Sequence, residues 1–387
     1  MGSSKKKKKK FILFFFGIGL AAIVVSVLFV YFSRRGSANA PLPFEEVYTT
    51  SKQLSKGIQL IDKSLSDVFY KLGLPQERIV FVSVFPRKED GYHWDFSSIE
   101  ARIPNDQSVF LTAEEIEKRI SSLPIQAEVR VENKSDNETI CDIYCLNLCT
   151  HRVRIVRDGY MAESDLSYPK IGIIIDDLGY NRSLAEAFLT IDLSLTFSVL
   201  PFTPNTELIA RKANKEGHEV MLHLPMEPMS FPAISVGEGV LLESMDNGMI
   251  LEVLNKNLSQ VPFVAGVNNH MGSRFTENEE KMAAVLAELK RRNLYFIDSR
   301  TSGGSVALRV AKKMGLRAAS RDIFLDNHLT ESALKIQMER LLGVARHRGW
   351  AIGIGHPHKE TLELLKRYLL TLNNEVEVVP VSALINY

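Results

Sequence analysis

From Tyr168 to the C-terminus, short β-rich runs alternate with helical patterns roughly every twenty to thirty residues, and this alternation restricts the fold more than any other feature of the chain. The runs cover 170–175, 194–200, 219–224, 263–267, 295–297, 316–319, 350–354 and, at the end, 376–379. Helical spacing is clearest over 206–215, 277–292, 305–314, 331–347 and 360–372. Seven or eight such units predict an α/β fold closed into a (β/α) barrel rather than an open sheet. The run Ile173-Ile174-Ile175 reads as a strand buried on both faces, as in parallel sheets covered by helices. Barrels of this kind gather their chemistry at the C-terminal ends of the strands. The unusual polar residues keep to those ends: Asp176 and Asp177, His223 and Glu227, Asn269 and His270, Asp298 and Arg300, Asp322 and Asp326, His356 and His358.

Two adjacent carboxylates where a buried strand stops repel one another when both are ionised, unless a cation or hydrogen-bond donors offset one of them. For Asp176 and Asp177 taken alone, two readings stand: a metal site, or caps for the helix that begins near Asn181. His223 lies on an apolar run, and Pro225 argues against a helix through His223 and Glu227. Beside the aspartates and His270, it reads as a metal ligand. Asn268-Asn269-His270-Met271-Gly272-Ser273-Arg274 places an imidazole, a hydroxyl and a guanidinium in one loop. His356 suits proton transfer near neutral pH, since an unperturbed imidazole titrates at about 6.5. His358 reads as a cap of the following helix, and Asp298 as a metal ligand, an orienter of a histidine or a partner of Arg300.

The basic excess of the chain is local. A net charge of +1 over 387 residues excludes a general nucleic-acid binder, whose surface must neutralise phosphates. Lys5 to Lys10 form a basic block directly before 11–32, a run without a charged residue that is long enough to span a bilayer. This predicts a cytoplasmic segment (1–10), a transmembrane anchor (11–32), a linker (33–47) and an exported remainder, a single-pass arrangement in the cell membrane. A cleaved signal peptide ending at Ala38-Asn39-Ala40 is the rival; the length of the run and the intervening Arg34 and Arg35 favour the anchor.

Residues 48–160 predict a small α+β domain. A helix over 48–72 is stopped by Gly73 and Pro75, β-rich runs follow at 79–85, 92–103, 127–131, 139–146 and 152–156, and one helix near 114–120 interrupts them. His93, Asp95 and Glu100 share a segment but have no partner at ligand spacing, so the expected role is spacing or binding. Cys141, Cys145 and Cys149 either supply one disulfide or, as the strand pattern favours, pack as small apolar side chains.

With these motifs in view, 168–387 resembles the divergent polysaccharide deacetylase family, a branch related to NodB-type polysaccharide deacetylases with a distorted (β/α) barrel fold. The resemblance covers a little over half of the chain. It implies a catalytic base at Asp176, a metal ligand at Asp177 and a second ligand at His223. Glu227 stands where the wider superfamily has another histidine, and Asn269-His270-Met271-Gly272 replaces its Arg-x-Pro-Tyr motif. Asp298 is what survives of the fourth motif. His356 matches the histidine that protonates the leaving amine. The third ligand is then His270 or Glu227, and the expected set is Asp177, His223 and His270 around a divalent ion, with zinc the expected metal because imidazole suits it.

The function so implied is a membrane-anchored, envelope-facing, metal-dependent hydrolase that removes acetyl groups from an N-acetylated polysaccharide or peptidoglycan fragment. Asn269, Arg274 and backbone amides are expected to face the oxyanion. Two alternatives remain at this level. One is hydrolysis of another amide or ester, and the other a catalytically altered barrel that binds glycan or protein, which the departures in the second and third motifs favour.

Overall fold

The computed structural model describes residues 52–158 and 168–385. The basic block, the apolar run, the linker and the start of the first expected helix lie outside the described residues, as do 159–167. Among the described residues, no helix is long and apolar enough to cross a membrane.

The first module is a five-stranded sheet with two helices. Helix α1 (Lys52–Lys71) buries Leu54, Ile61, Leu65, Val68 and Phe69, one face at helical spacing, and ends at Gly73, whose φ of 67° suits a residue without a Cβ. Strands β1 (Ile79–Glu89) and β2 (Tyr92–Ile103) form a hairpin, α2 (Val109–Ser121) follows, and β3 (Ala127–Ser135), β4 (Glu138–Cys145) and β5 (Leu148–Arg157) complete the order β1-β2-β5-β4-β3. Only β2 and β5 run parallel. Along β4 the alternation of buried residues carries Cys141, Ile143 and Cys145 into the core with Trp94, Phe96 and Val153. All three cysteines are free, and burial pushes the Cys141 thiol up to about 12, the behaviour of a small apolar side chain.

The second sheet is the curled one. Its members are β6 (Lys170–Leu178), β7 (Thr196–Val199), β8 (Glu219–Met226), β9 (Val264–Met271), β10 (Tyr295–Asp298), β11 (Ala318–Ser320), β12 (Ile323–Phe324) and β13 (Trp350–Gly355), in the order β11-β10-β9-β8-β7-β6-β13-β12. Every pairing in it is parallel. Its edges, β11 and β12, are consecutive in sequence, so the sheet bends round until Arg321 and Asp322 alone separate them. Those two residues stitch the seam: Arg321 N–H donates to the Asp298 carbonyl at 3.0 Å and Asp322 N–H to that of Ile352 at 2.9 Å. The sheet is therefore curled into a half-barrel whose edges meet through a linker rather than a ladder. Helices α3 (Arg182–Leu189), α4 (Thr206–Lys215), α5 (Asn247–Gln260), α6 (Glu279–Arg291), α7 (Ala307–Lys313), α8 (Glu331–Arg348) and α9 (Lys359–Glu375) join the strands. The last β-rich run gives only β14 (Glu377–Val378), which pairs with the start of β6 outside the ring of eight.

The two faces of the strands bury different partners. Ile173 and Ile175 pack with the helices, whereas Ile174 joins Met221, Tyr295, Ile297, Ile352 and Ile354 inside the barrel. The C-terminal turn Val381–Leu384 plugs the lower end, with Ser382 N–H and the Tyr295 hydroxyl donating to Glu219 at 3.2 and 2.8 Å. Two inner glycines make room. A Cβ at Gly172 would sit 2.8 Å from Val381, and one at Gly266 would run into the Tyr295 ring.

Because that ring is fully buried and tied to Glu219, Gly266→Ala cannot be relieved by a side-chain swing. The variant is expected to lose about 1–3 kcal/mol of stability, read as a lower urea midpoint at unchanged m-value. An unchanged midpoint would show that the inner layer has slack.

Candidate active site

Period-2 alternation brings the polar residues to the mouth. On β6, β8, β9 and β13 the inward positions run from Ile174 to Asp176, from Met221 to His223, from Gly266 through Asn268 to His270, and from Ile352 through Ile354 to His356. Asp177 breaks the rule, since its side chain ought to face the helices. Between Ile175 and Leu178 strand β6 carries one more residue than β7 does between Phe197 and Val199, a bulge. Asp177 sits in it with φ 55°, left-handed backbone that Asp tolerates better than most residues. The bulge returns its carboxylate to the inside. Neither aspartate caps α3: Asn181 does, accepting from Leu184 N–H at 3.0 Å.

Asp177, His223 and His270 converge. Asp177 Oδ1 lies 3.1 Å from His223 Nε2 and 2.9 Å from His270 Nδ1, and the two nitrogens are 3.2 Å apart. A tetrahedral ion held at 2.0–2.1 Å would need donor separations of about 3.3 Å, so the triangle fits one with a small expansion. Asp177 Oδ1 is buried and makes no well-aligned hydrogen bond to either nitrogen, as befits an oxygen reserved for a cation. Burial alone would raise the Asp177 carboxyl; His270 and His223 outweigh it and hold the group well below the usual carboxylate range.

Asn268 organises this set. Its Nδ2 donates to both oxygens of Asp176, at 2.8 and 3.0 Å, while its Oδ1 accepts from Ser198 at 2.7 Å and from His223 Nδ1 at 2.9 Å. The bond to Nδ1 fixes the tautomer and leaves the lone pair of His223 Nε2 available to an ion shared with Asp177. Burial pulls the His223 imidazole down, and Asp176, Asp177 and Asn268 together push it above its ordinary value.

His356 is held separately. Its Nδ1 lies 2.8 Å from Asp326 Oδ1, its backbone N–H donates to Asp326 Oδ2 at 2.6 Å, and Thr361 donates to the same oxygen. Burial opposes the charged imidazole, but Asp326, with smaller contributions from Asp177 and Asp176, raises it to about 9. Asp326 is lowered correspondingly, against burial, by His356 and Thr361. The site thus holds an imidazolium at neutral pH within the field of two carboxylates.

The remaining sequence candidates are committed elsewhere. Glu227 accepts from Arg274 at 2.9 Å and from Glu243 N–H, tying the end of β8 to the loop after β9, so neither faces the triad as a free group. Asn269 donates to the Met271 carbonyl at 2.7 Å and accepts from Ser299 N–H at 2.9 Å. Both its amide groups are engaged in joining β9 to the loop after β10. Asp298 accepts from Arg300 N–H and from Ser305, each within 2.9 Å, and builds that same loop. His358 stands at the N-cap of α9 without a side-chain cap bond. Asn268 and Asp326 belong to the site although no motif in the sequence marks their roles. The signal for Asn268 was its place two residues before His270, on the inner face.

A family model described as divergent polysaccharide deacetylase matches residues 173–385. The uncharacterized protein YibQ of Escherichia coli K12 is 36% identical over 217 residues, which cover 56% of this chain and 67% of that protein. An uncharacterized protein of Haemophilus influenzae is 32% identical over 210 residues, 54% of this chain and 74% of its own. The crystal structure of the uncharacterized protein ATU2773 from Agrobacterium tumefaciens C58 matches with a TM-score of 0.55 at 24% identity, covering 58% of this chain and 92% of that one; the likeness is one of fold.

Asn268→Ala should weaken binding of a divalent ion such as zinc by roughly 10- to 100-fold in titration calorimetry, the usual cost of losing a partner behind a ligand. An unchanged affinity would remove Asn268 from its organising place. Asp326→Asn should bring the His356 titration, followed by NMR on the metal-free protein, down from about 9 toward the ordinary 6.5. Because the folded-state value lies above the unfolded one, the stability His356 contributes is fully present below about 6.5 and lost as pH rises through about 9. The variant should lose that pH dependence.

Proposed function

The chain belongs to the divergent polysaccharide deacetylase family, and from that membership and the geometry of the site we propose that it is a metal-dependent hydrolase removing acetyl groups from an N-acetylated envelope polysaccharide or peptidoglycan fragment. The observation that carries the reading is the convergence of Asp177, His223 and His270 beside a second, differently supported carboxylate and a protonated histidine. Asp177, His223 and His270 would hold the ion, with zinc favoured by the two imidazoles. A divalent cation there supplies Lewis-acid polarisation of the acetamide carbonyl and acidifies a water. Asp176, oriented by Asn268, accepts the proton of the attacking water. His356, charged at neutral pH and oriented by Asp326, delivers a proton to the departing amine nitrogen. A single-pass anchor at 11–32 would hold the catalytic barrel at the outer face of the cell membrane.

The test is release of acetate from N-acetylglucosamine oligomers and peptidoglycan fragments by metal-loaded protein. Asp176→Asn should lower turnover by roughly 10²- to 10⁴-fold while the fold and the metal content stay as in the wild type. Turnover unaffected by this change would sink the assignment of the base. Glycan binding by a wild type that releases no acetate would favour the binding-scaffold alternative.

A further inference from the structure

The five-stranded module, which lies outside the residues matched by the family model, reaches the mouth of the barrel. Ser55 Oγ in α1 is 3.1 Å from Nε2 of His328, two residues beyond Asp326. At the tip of the β1–β2 hairpin, Lys88 Nζ donates to Glu277 Oε1 at 3.2 Å. The hairpin backbone also presses on the loop after β10: a Cβ at Gly303 would lie 3.3 Å from the Arg87 carbonyl carbon.

Glu277 is the joint. Ser302 donates to its carboxylate, and Gly304 lacks a Cβ where that carboxylate passes. The hairpin, the turn after β9 and the loop after β10 therefore meet on one side chain. The hairpin cannot swing away, because its sheet is seated on α8. Arg340 pairs with Asp62 and donates to Ser97 at 2.9 Å in a buried cluster, and Phe81 packs against Gly343.

Glu277 also lines an open, largely acidic depression of about 610 Å³ with Met229, Glu243, Arg274, Asn278, Glu279 and Glu280, within the size range of ligand pockets. Arg274 binds Glu227 at the end of β8, the strand that carries His223, so the depression adjoins the reacting end of the barrel. None of Asp176, Asp177, His223, His270 or His356 lines it. A ligand filling both places must extend beyond the reacting centre.

We propose that the β1–β2 hairpin is a specificity element: through the Lys88–Glu277 pair it holds the loops after β9 and β10 so that the adjoining depression receives sugar units flanking the reacting one, and a polymer is preferred over a single N-acetyl sugar. The inference rests on the glycan reading above and assigns Lys88 and Glu277 as positioning residues.

The experiment compares the full-length wild type, Lys88→Glu and the charge-swapped Lys88→Glu/Glu277→Lys. Calorimetry measures binding of the N-acetylglucosamine hexamer and monosaccharide, and amide exchange follows 272–280 and 299–306. The wild type should bind the hexamer more tightly. Lys88→Glu should lose roughly three- to tenfold of that preference and exchange faster in both segments, and the swap should recover both. A hexamer bound no more tightly than the monosaccharide, a preference untouched by Lys88→Glu, or a swap that recovers neither readout overturns the inference. Hexamer preference in a protein that releases no acetate overturns the deacetylase reading and leaves this one standing.

Discussion

Asn268 commits both ends of its amide inside the barrel: the NH2 group to Asp176 and Ser299, the oxygen to Ser198 and His223. Two adjacent carboxylates at the end of a buried strand need different compensation, and this one side chain supplies the difference. Asp176 receives amide hydrogens, and Asp177 is left to the imidazoles. An apolar residue at 268 would strand buried acceptors and two donors at about 1–3 kcal/mol each, a large fraction of the stability of an ordinary domain. It would also free His223 to take the other tautomer, with a proton where the lone pair now points.

The polar mouth rests on an apolar layer. Ile174, Met221, Ile297, Ile352 and Ile354 fill the barrel beneath it, and the C-terminal turn closes the far end on Glu219. Layers of alternating strand residues make this a packed core, so the side chains above it have little room to wander. Local strain gathers at the same end: Asp177, Met271 and Arg300, at or just beyond the ends of β6, β9 and β10, all have positive φ near 50–55°. Each such residue costs of order 1–3 kcal/mol and persists because the surrounding sheet over-determines it.

Two ion pairs of different weight join the described part of the N-terminal module to the barrel. Lys88 and Glu277 are partly exposed, a setting in which a pair contributes about 0–1 kcal/mol and chiefly sets geometry. Arg340 and Asp62 are almost wholly buried, and removing either partner would leave an uncompensated charge at a cost of roughly 3–5 kcal/mol. The buried pair therefore seats the sheet, and the exposed pair decides where the hairpin tip rests against the loops around the site.

The sequence by itself determined the βα alternation, the end of the barrel at which polar residues collect, and the Asp pair with His223, His270 and His356. Apart from Asp177, each follows from local periodicity, since an apolar inward position predicts that the residue two further on faces the same way. Which neighbour of a pair does what was decided only by the tertiary structure. Asn269 caught attention in the sequence, yet Asn268 is on the inner face. Asp177 should have faced outward, and only the bulge against β7, a matter of register between strands, turns it in. Glu227 stood as the alternative to His270 in the sequence, and the fold pairs it with Arg274, 47 positions away. Asp326 follows a strand of two residues, too short to leave a pattern, and gains its role from His356 thirty positions on. Periodicity is written along the chain. Register, bulges and the choice of partner are contacts between segments that meet only after the sheet has curled.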